Sequence, residues 1–496
     1  MKKYKYILNF IILAVMIFSS TACEDVLETT PPGEFAPGNV LNNEEGITAL
    51  LYSAYTFYNM QQGYKNEINM HEVSSDMAFN TGGGENRTLS LFINFTWDPS
   101  VGWLNQMWVQ RYNSIRDANI VLDNIDNVAD IEEDTRAMLI AEARYLRAAA
   151  YASLYNMFGR VPLMTSSLDG PKARATDDEM KSFIETELTE IVADLPNPGS
   201  ELQYGRATKG HALGILTKHY LNTKNWGKVI ETVDDIDALN YYRLFPDFEG
   251  LFRVENEPDK NPSNKEMMVA WPQINEVPYG NNFMNGATPP GFIRSDQVPG
   301  FLWTSAMANW ATQYRLRDDF VNTFDTDNDD RFKLIIYNYY NANGDLIDLT
   351  TTPDNMRNLK YYDNNALANF GGVDYPIVRY ADILLSHAEA LNEINGPTQE
   401  GLDLINLVRA RAKLDPITLS DASSKEVLRD MILDERGWEF VSEGKRREDL
   451  VRHGKYISRA QDRGIASAAN HHVLYPIPQA EMNANLLLEG DQNPGY

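Results

Sequence analysis

Along most of the chain, apolar residues recur at steps of three and four. Between Asp130 and Leu163, Met138, Ala141, Tyr145, Ala149 and Ala152 fall on one face, the spacing of an amphipathic helix. That face is rich in small residues, so a neighbouring helix can come close. Asp130 with Glu133 has the spacing of a capping box. Gly159 suits a left-handed C-terminal cap, and Pro162 prevents continuation. Thr176/Glu179 and Ser423/Glu426 repeat the opening signature. Several helices come as pairs. One is predicted near Thr208–Leu221, with a turn at Asn222–Asn225 and a second helix after it; another pair turns at Asn395-Gly396-Pro397. Ala212, Leu213, Gly214, Tyr220 and Trp226 sit roughly where a tetratricopeptide-type unit places such residues. The pattern predicts an all-α protein on a helix-pair scaffold.

Two stretches break the period. Residues 61–106 hold Gly82-Gly83-Gly84, Phe92, Phe95, Trp97 and Trp103, and residues 241–378 are rich in Asn, Asp, Gly, Pro and aromatics. Irregular segments this long inside a compact protein are functional or disordered, and the aromatic content argues against disorder. Both are read as loop-rich insertions.

The N-terminus has its own pattern. Lys2, Lys3 and Lys5 precede an apolar run, Ile7 to Phe18, broken only by Asn9. The run is too short for a bilayer, which takes ~20 residues, and fits the core of a signal peptide. Small residues lead to Cys23, the single cysteine among 496 residues. An exported chain pairs its cysteines or avoids them, and this one keeps a thiol only where a lipid would be attached. Residues 1–22 are therefore expected to be a lipoprotein signal and Cys23 the acylated N-terminus. Residues 23–40, with Pro31-Pro32 and Pro37-Gly38, form a proline-rich tether, and residues 41–496 form the body.

Composition narrows the class. With 43% hydrophobic and 11% aromatic residues the chain can bury a large core. A formal charge of −26 argues against nucleic acid, whose affinity rests on cationic contacts to phosphate, and against docking on anionic lipid. Asp325, Asp327 and Asp329 alternate like the start of a calcium loop, but Asp330 replaces the turn glycine and Ile336 stands where a closing Glu is wanted. They are weak metal candidates, and no cofactor is otherwise called for. His471-His472 lacks partners for zinc, and Gly82–Gly84 lacks the Lys-Ser/Thr of a phosphate loop. Arg446-Arg447 with Glu443 and Glu448 reads as a local charge network.

Taken in order, the helices resemble one family. EARYLRAAAYASLYNMFGRVPL (Glu142–Leu163) resembles the signature helix of the SusD/RagB outer-membrane nutrient-binding lipoproteins. MWVQRYNSIRDANIVLDNI precedes it, and GRATKGHALGILTKHYL, RYADILLSHAEALNEIN, INLVRARAKL and ERGWEFVSEGKRREDLVRHG follow. The terminus LYPIPQAEMNANLLLEGDQNPGY fits as well, and AAAYAS departs only in carrying fewer aromatics. The resemblance implies tetratricopeptide-like helix pairs with loop-rich insertions as the ligand face. It implies a lipid-anchored protein on the outside of the outer membrane, a lid on a SusC-like TonB-dependent transporter. Such a protein would capture oligosaccharides and pass them on without chemistry. Glu24-Asp25 resembles the family's surface-export signal.

A pyranose offers an apolar face to aromatic rings and a rim of hydroxyls to polar groups. The expected ligand residues, chosen by segment and residue type, are Asp76, Arg87, Trp97 and Trp103 in the first insertion. In the second they are Trp271, Trp303, Trp310 and Tyr314. Trp108, Trp226 and Trp438 sit at helical spacing and are expected in the core. Two rivals fit the composition: a secreted helical glycoside hydrolase, which needs two carboxylates across the bond, and a helical-repeat scaffold that binds protein or peptide.

Overall fold

A computed structural model describes residues 41–59, 61–277, 279–311 and 314–496. The signal segment 1–22, Cys23 and the tether lie outside the described residues.

Helices α1 (Glu44–Tyr58), α2 (Gln61–Val73), α3 (Asn86–Ile93), α4 (Gly102–Asn124), α5 (Glu133–Phe158), α6 (Asp177–Glu190), α7 (Lys209–Asn222) and α8 (Trp226–Ala238) make up the first half. Two short helices, α9 (Phe283–Ala287) and α10 (Asp318–Val321), interrupt the long insertion. Then come α11 (Tyr380–Asn395), α12 (Gln399–Arg411), α13 (Lys425–Glu439), α14 (Arg446–Arg452), α15 (Tyr456–Asp462) and α16 (Gln479–Ala484). Successive helices pack as a staircase: α1 on α4, α4 on α5, α5 on α6, α6 on α7, α7 on α8, α8 on α11, α11 on α12. This is the tetratricopeptide-like scaffold expected from the pairing.

Small residues set its spacing. Ala148, Ala149 and Ala150 of α5 are all buried. A Cβ on Gly210 in α7 would lie 1.7 Å from the Tyr242 hydroxyl, so that tyrosine can pack there only against glycine. Gly159 ends α5 at φ 70°, a left-handed conformation cheap only for glycine. Thr176 and Glu179 form a full capping box on α6. The other two expected starts shift: α5 is capped by Glu132 without a side-chain bond, and α13 by Ser424.

The expectation of irregular chain over 61–106 is corrected, since α2, α3 and the start of α4 fall there. The periodicity missed α2 because Lys65, Asn66, Asn69 and Glu72 are buried along with Ile68 and Met70. A helix wedged on all sides by polar as well as apolar neighbours has no apolar stripe to read.

The second insertion is threaded by short antiparallel strands. β1 (Ala78–Asn80) pairs β5 (Tyr314–Leu316), and β2 (Met267–Trp271) pairs β10 (Tyr375–Arg379). β3 (Phe292–Ser295), β4 (Val298–Leu302), β7 (Asn338–Asn341) and β8 (Leu346–Asp348) form one sheet in the order β4-β3-β7-β8, and β6 (Ile335–Ile336) pairs β9 (Arg357–Asn358). The sheets are minor beside the helices.

Buried ion pairs dock this insertion on the scaffold. Arg379, with no exposed side chain, donates to Glu266 at 2.5 Å, Glu439 at 2.8 Å and Glu443 at 2.7 Å. Arg411 reaches Glu439, Arg331 reaches Glu435 at 2.6 Å, and Lys360 reaches Glu443 at 2.9 Å. The supposed local network at 443–448 is thus long-range. Arg446 pairs with Asp76 at 2.8 Å, and Arg447 donates to the Val473 carbonyl at 2.7 Å.

Candidate functional site

The eight expected ligand residues divide by how far the fold engages them. Trp97 is 3% exposed, ringed by Phe92, Phe95, His472 and Tyr475, and its indole N–H donates to the Tyr496 hydroxyl at 2.7 Å. It secures the C-terminus. Trp271, on β2, is buried with Tyr58 edge-on at 5.6 Å and the Arg111 guanidinium 5.5 Å from its ring. Tyr314, on β5, is buried and donates its hydroxyl to Glu72. Asp76 pairs with Arg446 and Arg459; burial opposes its charge, but the two guanidiniums outweigh that and hold the carboxyl well below the ordinary range. The expectation that these four line the ligand face is revised, because each has its aromatic surface or charge engaged by the fold. Trp108 is buried as expected, while Trp226 and Trp438 are half-buried against the core.

The other four remain accessible. Trp103 lies on the first turn of α4 and Trp310 on the loop after β4, both half-buried. The Lys65 ammonium joins them, 4.9 Å from the Trp310 ring and 5.9 Å from the Trp103 ring. Lys65 is itself buried and ion-paired with Glu85. Burial pulls its pKa down while Glu85 counteracts it. A cation over an indole face stabilises by about 0.5–2 kcal/mol, more as water is excluded, so Lys65 fixes both rings. Trp310 is also held by its N–H groups: the indole N–H donates to Asn369 at 2.7 Å and the backbone N–H to the Asn285 carbonyl at 2.9 Å. Asn285 in turn donates to the carbonyls of Ala308 and Ala368 at 2.5 and 3.1 Å.

Trp303 sits on the same loop, half-buried, with Phe301 edge-on at 6.0 Å. It borders a small cleft with Met307, Asp363, Ala366 and Phe370. Around this loop cluster Tyr279, Leu302 and Leu367 are each more than half exposed, at 60%, 52% and 53%. Asn364 ties Leu302 to the neighbouring loop at 3.0 Å. Arg87 is exposed on the first turn of α3, two positions after Glu85. The result is a shallow face of aromatic rings with amides and a neutralised ion pair among them. Such a face offers stacking and hydrogen bonds.

Sequence reasoning missed Lys65, Asn369 and Tyr279. Tyr279 had a signal, an aromatic in the turn-forming run Pro278-Tyr279-Gly280-Asn281. Lys65 had none, since a helical lysine ordinarily faces solvent.

The three aspartates considered for calcium do not converge. Asp325 accepts from the backbone of Asp327 and Asn328 at 3.3 and 3.2 Å, while Asp329 pairs with buried Arg331 at 2.8 Å. Among the described residues no group of three or more His, Cys, Asp or Glu is placed to hold a metal ion. No helix among them is long and apolar enough to cross a membrane.

The chain belongs to the SusD family. That family's model matches residues 248–496, and a second, described as starch-binding and associating with outer membrane, matches residues 25–221. SusD-like protein P2 of Formosa agariphila is 27% identical over 100% of this chain and 100% of its own. Among solved structures, a laminarin-binding SusD-like protein superposes with a TM-score of 0.76 at 24% identity, covering 92% of this chain and 100% of that one. Surface glycan-binding protein A from Bacteroides thetaiotaomicron, in complex with laminarihexaose, does so at 0.72 and 19% identity, covering 91% and 100%. At these identities the solved structures establish the fold.

Proposed function

We propose that this chain is a surface-exposed outer-membrane lipoprotein that binds oligosaccharides on the tryptophan face and delivers them, unaltered, to a SusC-like TonB-dependent transporter. The observation that carries the reading is the pair of accessible indoles, Trp103 and Trp310, with the Lys65 ammonium 5.9 and 4.9 Å from their rings. Two rings fixed at one site can stack on sugar without the cost of ordering them on binding. Asn369, Asn364 and Arg87 supply polar groups for hydroxyls. The family's description and the laminarin and laminarihexaose named for two fold relatives support a glycan as ligand. Cys23 would carry the lipid anchor and Glu24-Asp25 the export address.

The test is isothermal titration of the protein with a panel of oligosaccharides and peptides, with product analysis on the same samples. A saccharide that binds with micromolar or weaker affinity, is recovered intact, and loses affinity with Trp310→Ala supports the proposal. Cleaved product would favour a hydrolase, and binding of peptides alone would move the ligand class. Co-purification with a TonB-dependent transporter tests delivery, and mass spectrometry of the N-terminal peptide tests acylation at Cys23.

A further inference from the structure

Helix α2 has two functional sides. One carries Lys65 toward the tryptophan face; the other carries Glu67 and His71 to the wall of a separate cavity of about 340 Å³ inside the scaffold. Small-molecule sites run from about 300 to 1,000 Å³. Helices α4, α5, α7 and α14 and the strand pair β2–β10 complete the wall, and Tyr155, Asp177, Asn222 and Thr223 border its outer end. Ala152 and Ser153 lie in the C-terminal third of α5 and remain partly exposed. Glu67 and Glu448 keep 16% and 13% of side-chain exposure. All four border the cavity.

The lining is prearranged. Arg111 donates to Glu67 at 3.1 Å, to the Ser153 hydroxyl at 3.0 Å and to the Tyr58 carbonyl at 3.0 Å. Opposite, Glu448 takes Lys218 at 2.7 Å and the amides of Asn156 and Asn222 at 3.1 and 2.9 Å. Lys445 is paired with Asp382 at 3.0 Å, and Glu443 with Arg379 and Lys360. His71 places Nδ1 3.1 Å from the Gly444 carbonyl, so Nδ1 carries the proton. Its buried Nε2 is then an acceptor with no partner among the described residues. Burial, with Arg447 nearby, keeps that ring neutral, its pKa down at about 3. Trp271 adds an aromatic wall.

Charges answered in pairs disfavour an ionic occupant. An unpartnered acceptor, a hydroxyl and two partly accessible carboxylates beside an indole are what a sugar ring can use. We propose that this cavity is a second binding site, distinct from the tryptophan face, for a neutral polyhydroxy molecule of monosaccharide size. The site also gives Trp271 a function that its burial denies it on the outer face.

The test titrates the full chain with glucose and galactose, with glucuronate as the charged control. Glucose or galactose is expected to bind, and glucuronate to bind about tenfold more weakly or not at all. Ala152→Phe, which projects a ring into the cavity, is expected to weaken monosaccharide binding by about tenfold or more while oligosaccharide binding persists. Trp310→Ala is expected to do the reverse, so this proposal and the tryptophan face fail separately. Should Ala152→Phe not fold, a crystal of the unaltered protein soaked in the sugar decides. Sugar density between Glu67, His71 and Trp271 upholds the site. No neutral monosaccharide binding, binding indifferent to Ala152→Phe, or water alone in the soaked cavity overturns it.

Discussion

The scaffold and the second insertion are held together by different means. In the scaffold each helix satisfies its own backbone, and helices meet through close apolar contact, as along the buried alanines of α5, with buried ion pairs such as Arg147–Glu187 and Arg452–Glu389 between them. In the insertion the strands are short, and side chains do much of the backbone's hydrogen bonding. Asn281 accepts from the backbone of Phe283, Asn358 from Lys360, Asp363 from Gly372, and Asp374 from Gln273, all of them buried. Buried N–H groups must find partners, and Asn and Asp supply them in turns. The polar composition that looks like a solvated loop is therefore structural, and the insertion's hold on the scaffold is electrostatic as much as apolar.

The most direct way to break the comparison is Arg379→Met. It removes the cation shared by Glu266, Glu439 and Glu443 and leaves buried carboxylates short of a partner. Such a loss costs about 3–5 kcal/mol, read as a fall in stability by urea unfolding. A loss below about 1 kcal/mol would mean that apolar packing alone seats the insertion.

Acid probes the same network without mutation. Burial raises the Glu439 carboxyl, but Arg411, Arg379 and Arg331 outweigh it and hold its pKa down at about 2, from 4.5. The folded state therefore binds this proton less readily than the unfolded one. The stabilisation is full above about pH 4.5 and is lost as pH falls toward 2. Stability measured across that window should fall with pH, and Glu439→Gln should flatten the slope. An unchanged slope would assign acid sensitivity to other carboxylates.

On the outer face the expected effect is smaller and concerns binding. Trp310→Ala removes one of the two rings beside Lys65, and oligosaccharide affinity should fall about tenfold, ~1.4 kcal/mol. Stability should fall by only about 0.5–2 kcal/mol, the cation–ring contact with Lys65. A large drop in stability with unchanged affinity would make Trp310 a packing residue of its loop.

What was legible in the sequence was local. The α7–α8 pair, the Gly159 stop and the Thr176 cap depend on neighbours a few positions away, which periodicity and capping chemistry report. Which aromatics face outward was not legible. Trp97 and Trp103 are six positions apart in one aromatic-rich segment, yet Trp97 is buried because Tyr496, 399 positions on, receives its N–H. Asp76 is likewise committed by Arg446, 370 positions away. Such partners follow from the topology of the folded chain and leave no local trace. Lys65 is hidden for the same reason: the rings beside it come from α4 and from the far insertion.

The smallest predicted effect isolates what the scaffold's local order contributes by itself. Thr176 accepts from the Glu179 backbone N–H at 3.2 Å, while the Glu179 carboxylate takes the Thr176 N–H at 2.8 Å. The box is exposed and touches neither the insertion nor the tryptophan face. Thr176→Ala should cost about 1 kcal/mol, seen as a modest fall in the unfolding midpoint, with oligosaccharide affinity unchanged. If affinity fell as well, strain at the start of α6 would be reaching the ligand face through the staircase, and the scaffold and insertion would be coupled more tightly than their separate chemistries imply.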